Sequence, residues 1–151
     1  MALQFDKHAQ EANLFINDLA DKLGHPDERG RSGILLRSVL HSLRDTITIS
    51  ESFNLISQLP MFLKGLYVDN WKYAEKPERI KSVEEFKNKV KEKQDEYGEQ
   101  EFDWEKSTED LIRQVLEHLS QYITEGEAED IISQLSAELK PLFEESLISG
   151  S

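Results

Sequence analysis

The chain has 151 residues with 18 basic and 30 acidic side chains, a formal net charge of −12, 38% hydrophobic content and no cysteine. That is enough apolar material for one core without a metal or disulfide staple, and the missing thiols exclude disulfides, cysteine-held zinc or iron–sulfur centres and cysteine nucleophiles. Residues 1–71 carry 7 basic and 9 acidic side chains, residues 72–93 carry 8 and 5, and residues 94–151 carry 3 and 16, so the acidic half repels phosphate backbones and anionic membrane surfaces.

The first predicted helix runs from about Leu3 to Leu23, with Phe5, Ala9, Ala12, Leu14, Phe15, Ile16, Leu19, Ala20 and Leu23 at three–four spacing. Gly24 suits the left-handed stop and Pro26 breaks the chain. The second helix starts between Pro26 and Arg31 and ends at Asp45, on a stripe of Ile34, Leu35, Leu36, Val39, Leu40 and Leu43; Gly30 and Gly33 make its entry flexible. Thr48-Ile-Ser-Glu51 is a capping box, in which the threonine oxygen takes an orphan N–H and the glutamate reaches back. It opens a third helix carrying Phe53, Leu55, Ile56, Leu59, Phe62, Leu63 and Leu66, which Pro60 kinks or breaks near Gln58.

Residues 67–81 read as an irregular connector that packs, because Tyr67, Trp71 and Tyr73 are poor choices for a free linker. Ser82-Val-Glu-Glu85 opens a fourth helix with a thin stripe of Phe86 and Val90 and an exposed side dominated by Lys87, Lys89, Lys91 and Lys93, ending at Tyr97 and Gly98. Ser107-Thr-Glu-Asp110 opens the fifth, with Leu111, Ile112, Val115, Leu116, Leu119 and Tyr122. Thr124-Glu-Gly-Glu127 opens the sixth, with Ile131, Ile132, Leu135, Leu139, Leu142, Phe143 and Leu147. No apolar run approaches the ~18 residues of a membrane span. Met1 to His8 shows no signal-peptide pattern, and the expectation is a cytoplasmic protein.

The chain repeats itself. A shift of 76 residues lays Leu35, Arg37, Val39, Leu40, Leu43, Ile47, Thr48, Glu51, Ile56, Ser57, Gln58, Leu59, Leu63 and Leu66 onto identical residues from Leu111 to Leu142 without a gap. One helical unit is therefore used twice. The predicted fold is all-α: residues 1–151 as a single domain, a six-helix pseudo-two-fold bundle of two three-helix repeats, about 3–67 and 82–147, joined by connector 68–81.

The segment Gln58-Leu-Pro-Met-Phe-Leu-Lys64-Gly-Leu-Tyr67, followed by Trp71 and the connector with Pro77, resembles the bacterial domain-of-unknown-function family 2267. The likeness extends to Val39-Leu-His41-Ser-Leu-Arg44-Asp45 and to Glu125-Gly-Glu127-Ala-Glu129-Asp130, and spans about residues 10 to 145. The resemblance implies a small, all-helical, soluble bacterial protein and carries over no catalytic residue.

Chemistry-bearing patterns are sparse. His8, His25, His41 and His118 form no Glu-x-x-His or His-Glu-x-x-His pattern, so no metal is expected. Glu125, Glu127, Glu129 and Asp130 at a helix start are explained by the helix dipole and lack a calcium-loop pattern. Gly30-Arg-Ser-Gly33 lacks the Lys-Ser/Thr of a phosphate loop and the strand before it. Ser57 and Ser133 recur in both units without a nucleophile elbow. No catalytic residue, cofactor or nucleic-acid partner is expected.

The repeats differ most around Pro60, Lys64, Tyr67, Trp71 and Tyr73, an aromatic and kinked tract that either lines a groove for a partner or ligand or closes the core and anchors the connector. The leading expectation is a non-enzymatic protein–protein interaction module, with an unidentified protein partner or a homodimer made by docking basic helix four on the acidic half. The alternative is a small-ligand or metal-binding protein with its pocket between the units near Tyr67, Trp71 and His41.

Overall fold

The computed structural model describes residues 4–148, and it is all-helical. The expected start at Leu3 and the terminal Gly150-Ser151 lie outside the described residues. Helix α1 (Phe5–Leu23) stops at Gly24, whose φ of 86° lets its N–H reach Ala20 and Asp21 carbonyls. Its buried stripe is narrower than predicted: Phe15, Leu19, Ala20 and Leu23 are inside, whereas Phe5 and Leu14 are exposed. Helix α2 (Arg29–Thr46) already contains Gly30 and Gly33, so no flexible entry precedes it. It runs through the middle of the molecule against α1 and three later helices. Three of its buried hydroxyls find partners on its own wall, Ser32, Ser38 and Thr46 donating to carbonyls four residues back, while Ser42 Oγ has none.

Six helices were expected, and eight are present among the described residues. Two prolines account for the difference. Helix α3 (Ile49–Gln58) ends before Pro60, and α4 (Met61–Val68) starts after it. The expected sixth helix is broken into α7 (Glu125–Ser133), α8 (Lys140–Phe143) and a π turn, Glu144–Ile148. Pro141 has no N–H and would clash with the carbonyl of residue 137, so the chain leaves the helix and restarts with the proline in the first turn of α8. The restarts match: Pro60 O accepts from Leu63 and Lys64 N–H at 3.0 and 2.9 Å, and 76 residues on Ser136 O accepts from Leu139 and Lys140 N–H at 3.1 and 3.0 Å.

Helix α5 (Val83–Asp95) lies along α2. Its lysines are not the exposed basic face the sequence suggested. Lys89 and Lys93, four apart, reach Asp45 at the end of α2 at 3.2 and 2.9 Å, with side chains only 11% and 19% exposed. Lys91 pairs with Glu101 and Lys87 with Glu84. The long stems cover apolar surface while the ammonium groups find carboxylates of the same chain. Helix α6 (Thr108–Leu119) and the 3₁₀ turn Ser120–Tyr122 complete the bundle.

The buried apolar side chains form one cluster that draws on both halves of the sequence, from Phe15 to Leu147. Connector residues 69–82 are tied to it: Glu78 N–H donates to Asp45 O at 2.8 Å, Ser136 Oγ donates to Lys81 O, and Trp71 and Ile80 pack on the core. No helix among the described residues is long and apolar enough to cross a membrane.

Candidate functional site

Two polar constellations lie where the halves of the chain meet. The first grows out of the helix caps. Thr48 Oγ1 accepts Glu51 N–H, and Thr124 Oγ1 accepts Glu127 N–H, each at 3.2 Å. A complete capping box would send each glutamate carboxylate back to the threonine N–H. That reciprocal bond is absent at both helices. Gln134 Oε1 takes Thr48 N–H, and Gln58 Oε1 takes Thr124 N–H, both at 2.9 Å. Each helix start is thus capped by the glutamine at the far end of the other helix, and both glutamates are released from capping. The carboxylates turn inward instead. Glu51 and Glu127 are 7% and 6% exposed, and one oxygen of each lies within 4.8 Å of the other and of an oxygen of exposed Asp130. Burial, followed by the hydrogen bond and charge of Glu51, pushes the Glu127 carboxyl up to about 8. Glu127 stands in the first turn of its helix, as the sequence predicts, but its carboxylate is buried against Glu51.

The second constellation is a cavity of about 440 Å³ between α2, the turn after α4 and α5. Arg37, His41 and Arg44 share one face of α2 by their four- and three-residue spacing. With Asp45, Asn70, Lys72, Lys93 and Glu96 they line the cavity. Asn70 makes the turn with φ of 55°, a left-handed conformation that asparagine tolerates better than most side chains. Arg44 is 6% exposed. Its Nη1 donates to the Tyr67 and Asp69 carbonyls at 2.8 and 2.9 Å, and its guanidinium lies 5.7 Å from the Trp71 ring centre. Its Nε is buried without a hydrogen-bond partner, 3.7 Å from Asp45 Oδ1. Arg37 pairs with Asp69 at 2.6 Å. Burial alone would raise the Asp45 carboxyl, but Lys93 and Lys89 outweigh it and hold it below its usual range. His41 Nε2 donates to Leu66 O at 2.8 Å. Burial, reinforced by Arg44, Arg37 and Lys93, lowers its pKa to about 4, so the ring is neutral at physiological pH.

The tract singled out from sequence is split by the fold. Tyr67 is wholly buried, with its hydroxyl 2.7 Å from Ser52 Oγ. Trp71 is partly buried, edge-on to Tyr67 at 5.7 Å and 6.3 Å from the Phe53 ring. Pro60 caps α4, and it and Lys64 are half-buried. Tyr73 is 78% exposed on the connector, outside that aromatic packing. A shallow cleft of about 130 Å³ beside Trp71 is lined by Ile47, Ile49 and connector residues 72 and 74–78. The sequence reading did not bring Arg37 and Arg44 together with Lys93, nor Glu51 with Glu127. The signal was present in the Arg37-x-x-x-His41-x-x-Arg44 spacing and in the shared repeat position of Glu51 and Glu127, but the partner helices were needed to bring each set together.

No curated protein matches the chain. A family model described as "Uncharacterized conserved protein (DUF2267)" matches residues 12–142. That match covers most of the sequence, and the chain belongs to this family.

Proposed function

We propose that the protein is a small-ligand binder that holds a compact anion in the cavity between α2 and α5. The observation that carries this reading is that four cations, Arg37, Arg44, Lys72 and Lys93, against two acids, Asp45 and Glu96, line about 440 Å³ of space in a chain of net charge −12. Arg44 supplies a buried donor with no partner, and a group of that kind is costly unless something accepts from it. Neutral His41 offers a ring without adding charge. Calorimetric titration at low salt with inorganic phosphate, pyrophosphate and citrate tests the reading. One saturable site that weakens with salt is expected, with Arg37→Gln and Lys72→Gln each reducing affinity about tenfold and Lys7→Gln changing nothing. Absence of saturable binding, or equal affinity in all variants, overturns it.

A second reading, recognition of a partner protein, is supported by Phe53 and Ile49, which are 61% and 40% exposed beside Trp71. An Ile49→Ser, Phe53→Ser variant that folds but no longer retains a defined partner in native extract fits it; unchanged retention sinks it. Homodimer formation through the α5 lysines loses its motive, because those lysines are already paired within the chain.

We also read the bundle as two units of four helices each, about residues 3–67 and 82–147 with connector 68–81, related by a pseudo-two-fold. The exchanged glutamine caps and the matching restarts at Pro60 and Ser136 support this reading.

A further inference from the structure

We propose that Glu51, Glu127 and Asp130 form a binding site for a hard divalent cation at the contact between α3 and α7. One carboxylate oxygen from each lies within 4.8 Å of the others. An ion taking oxygen ligands at about 2.1–2.6 Å bridges that spacing with small side-chain rotations. Three neighbouring acids are not a site by themselves, and the second observation concerns how two of them are held. Glu51 and Glu127 are both more than nine-tenths buried, yet Oε2 of each meets no donor from the rest of the chain, so only a proton shared between the two carboxyls or a cation satisfies them. Buried acceptors left unsatisfied are costly and uncommon in folded proteins.

Helix capping does not demand the two carboxylates, since Gln134 and Gln58 hold the threonine N–H groups. Gln134 does a second job: its Nε2 donates to Glu51 Oε1 at 3.2 Å. That bond fixes the carboxyl by one oxygen and leaves Oε2 for another ligand, the arrangement an outer-shell group gives a metal ligand. Asp130 is exposed, so the site opens to solvent on its side, where an ion enters and water completes the coordination. Three carboxylates without imidazole or thiolate select magnesium, calcium or manganese over zinc or copper. This site is separate from the anion cavity and does not depend on it.

The test uses the metal-free full chain, titrated with Mn²⁺ followed by electron paramagnetic resonance and with Ca²⁺ and Mg²⁺ followed by calorimetry. One ion per chain is expected for at least one of the three. Glu51→Gln and Glu127→Gln, which keep side-chain shape, weaken binding at least about tenfold, whereas Glu129→Gln, an exposed neighbour, leaves it unchanged. Absence of saturable binding by all three ions, or equal binding by both glutamine variants and wild type, overturns the proposal. Should a glutamine variant fail to fold, the wild-type melt decides: a rise in melting temperature with the bound ion, beyond that given by sodium at equal ionic strength, supports the site, and no rise overturns it.

Discussion

At the scale of single residues, the fold sets Tyr67 and Phe53 at opposite extremes although the sequence offers both as packing residues, Phe53 in the apolar stripe of the third helix and Tyr67 in the connector. Tyr67 has no exposed surface, and its hydroxyl meets Ser52 Oγ, itself fully buried. Burial is the main cause that raises the Tyr67 hydroxyl pKa, so the group serves as a hydrogen-bonding hydroxyl rather than an ionisable one. Tyr67→Phe keeps the ring and strands Ser52, and it is expected to cost about 1–2 kcal/mol of unfolding free energy, read from the midpoint of urea denaturation. Phe53→Ser, at a side chain 61% exposed, is expected to stay within about 0.5 kcal/mol of wild type. Equal losses at the two positions would mean that Phe53 contributes to the core through Trp71. Buried polar groups at this scale have fixed roles. Lys22 Nζ lies 3.3 Å from His118 Nδ1, and an ammonium has no lone pair to accept with, so Nδ1 is the acceptor; Nε2 carries the proton and donates to Phe15 O at 3.1 Å.

At the scale of elements, the exchanged caps make the start of α3 depend on α7 and the start of α7 depend on α3. Gln58→Ala removes the acceptor for Thr124 N–H, and Gln134→Ala removes the acceptor for Thr48 N–H. Each is expected to cost about 1 kcal/mol. Both variants also remove an Nε2 donor, and Gln134→Ala costs the more, because its donor serves the buried Glu51 carboxyl whereas that of Gln58 serves the exposed Thr124 hydroxyl. The double variant is expected to lose less than the sum, by at least about 0.5 kcal/mol, since releasing one helix loosens the contact that positions the other glutamine. Additive losses would show that the two caps act independently. The same bonds mark the limit of what the sequence reveals. Thr48, Glu51, Thr124 and Glu127 announce two helix starts, and those starts are where the structure has them. The local rule then sends each glutamate back to its own threonine, and it fails because a glutamine from a distant helix outcompetes it. Capping preferences are local, whereas the choice between Glu51 and Gln134 as acceptor is tertiary. Lys89 and Lys93 of α5 failed for a related reason: their charge was legible, but the carboxylate they reach, Asp45, belongs to another helix. The break at Pro60 was legible because proline acts on its own backbone. The break before Pro141 follows from the same property and needed only the same weight given to it.

At the scale of the whole molecule, pH sets two buried groups against each other. His41 has its pKa lowered from 6.5 to about 4, chiefly by burial, with Arg44, Arg37 and Lys93 adding to it against the Leu66 hydrogen bond. In that window the unfolded chain binds the proton that the folded chain refuses, so stability rises with pH. The contribution is full above the unfolded pKa and is lost as pH falls from about 6.5 toward 4, on the order of 3 kcal/mol in all. Glu127 has the opposite sign. Its carboxyl is raised from 4.5 to about 8, so the folded chain holds a proton that the unfolded chain releases, and stability falls as pH rises through that range. Between about pH 4.5 and 6.5 the two slopes oppose, and the wild-type profile there is expected to be flatter than either group alone would give, whereas above about 6.5 Glu127 acts alone. Differences between variants separate them. His41→Gln, which keeps a donor for Leu66 O, is expected to lose stability less steeply than wild type as pH falls below about 6. Glu127→Gln, measured in metal-free buffer, is expected to gain on wild type as pH rises from about 4.5 to about 8. Urea unfolding of the three proteins from acid to mildly alkaline pH checks both slopes. Parallel curves for His41→Gln and wild type would mean that the folded chain accepts a proton on His41 without penalty, despite the arginines around it.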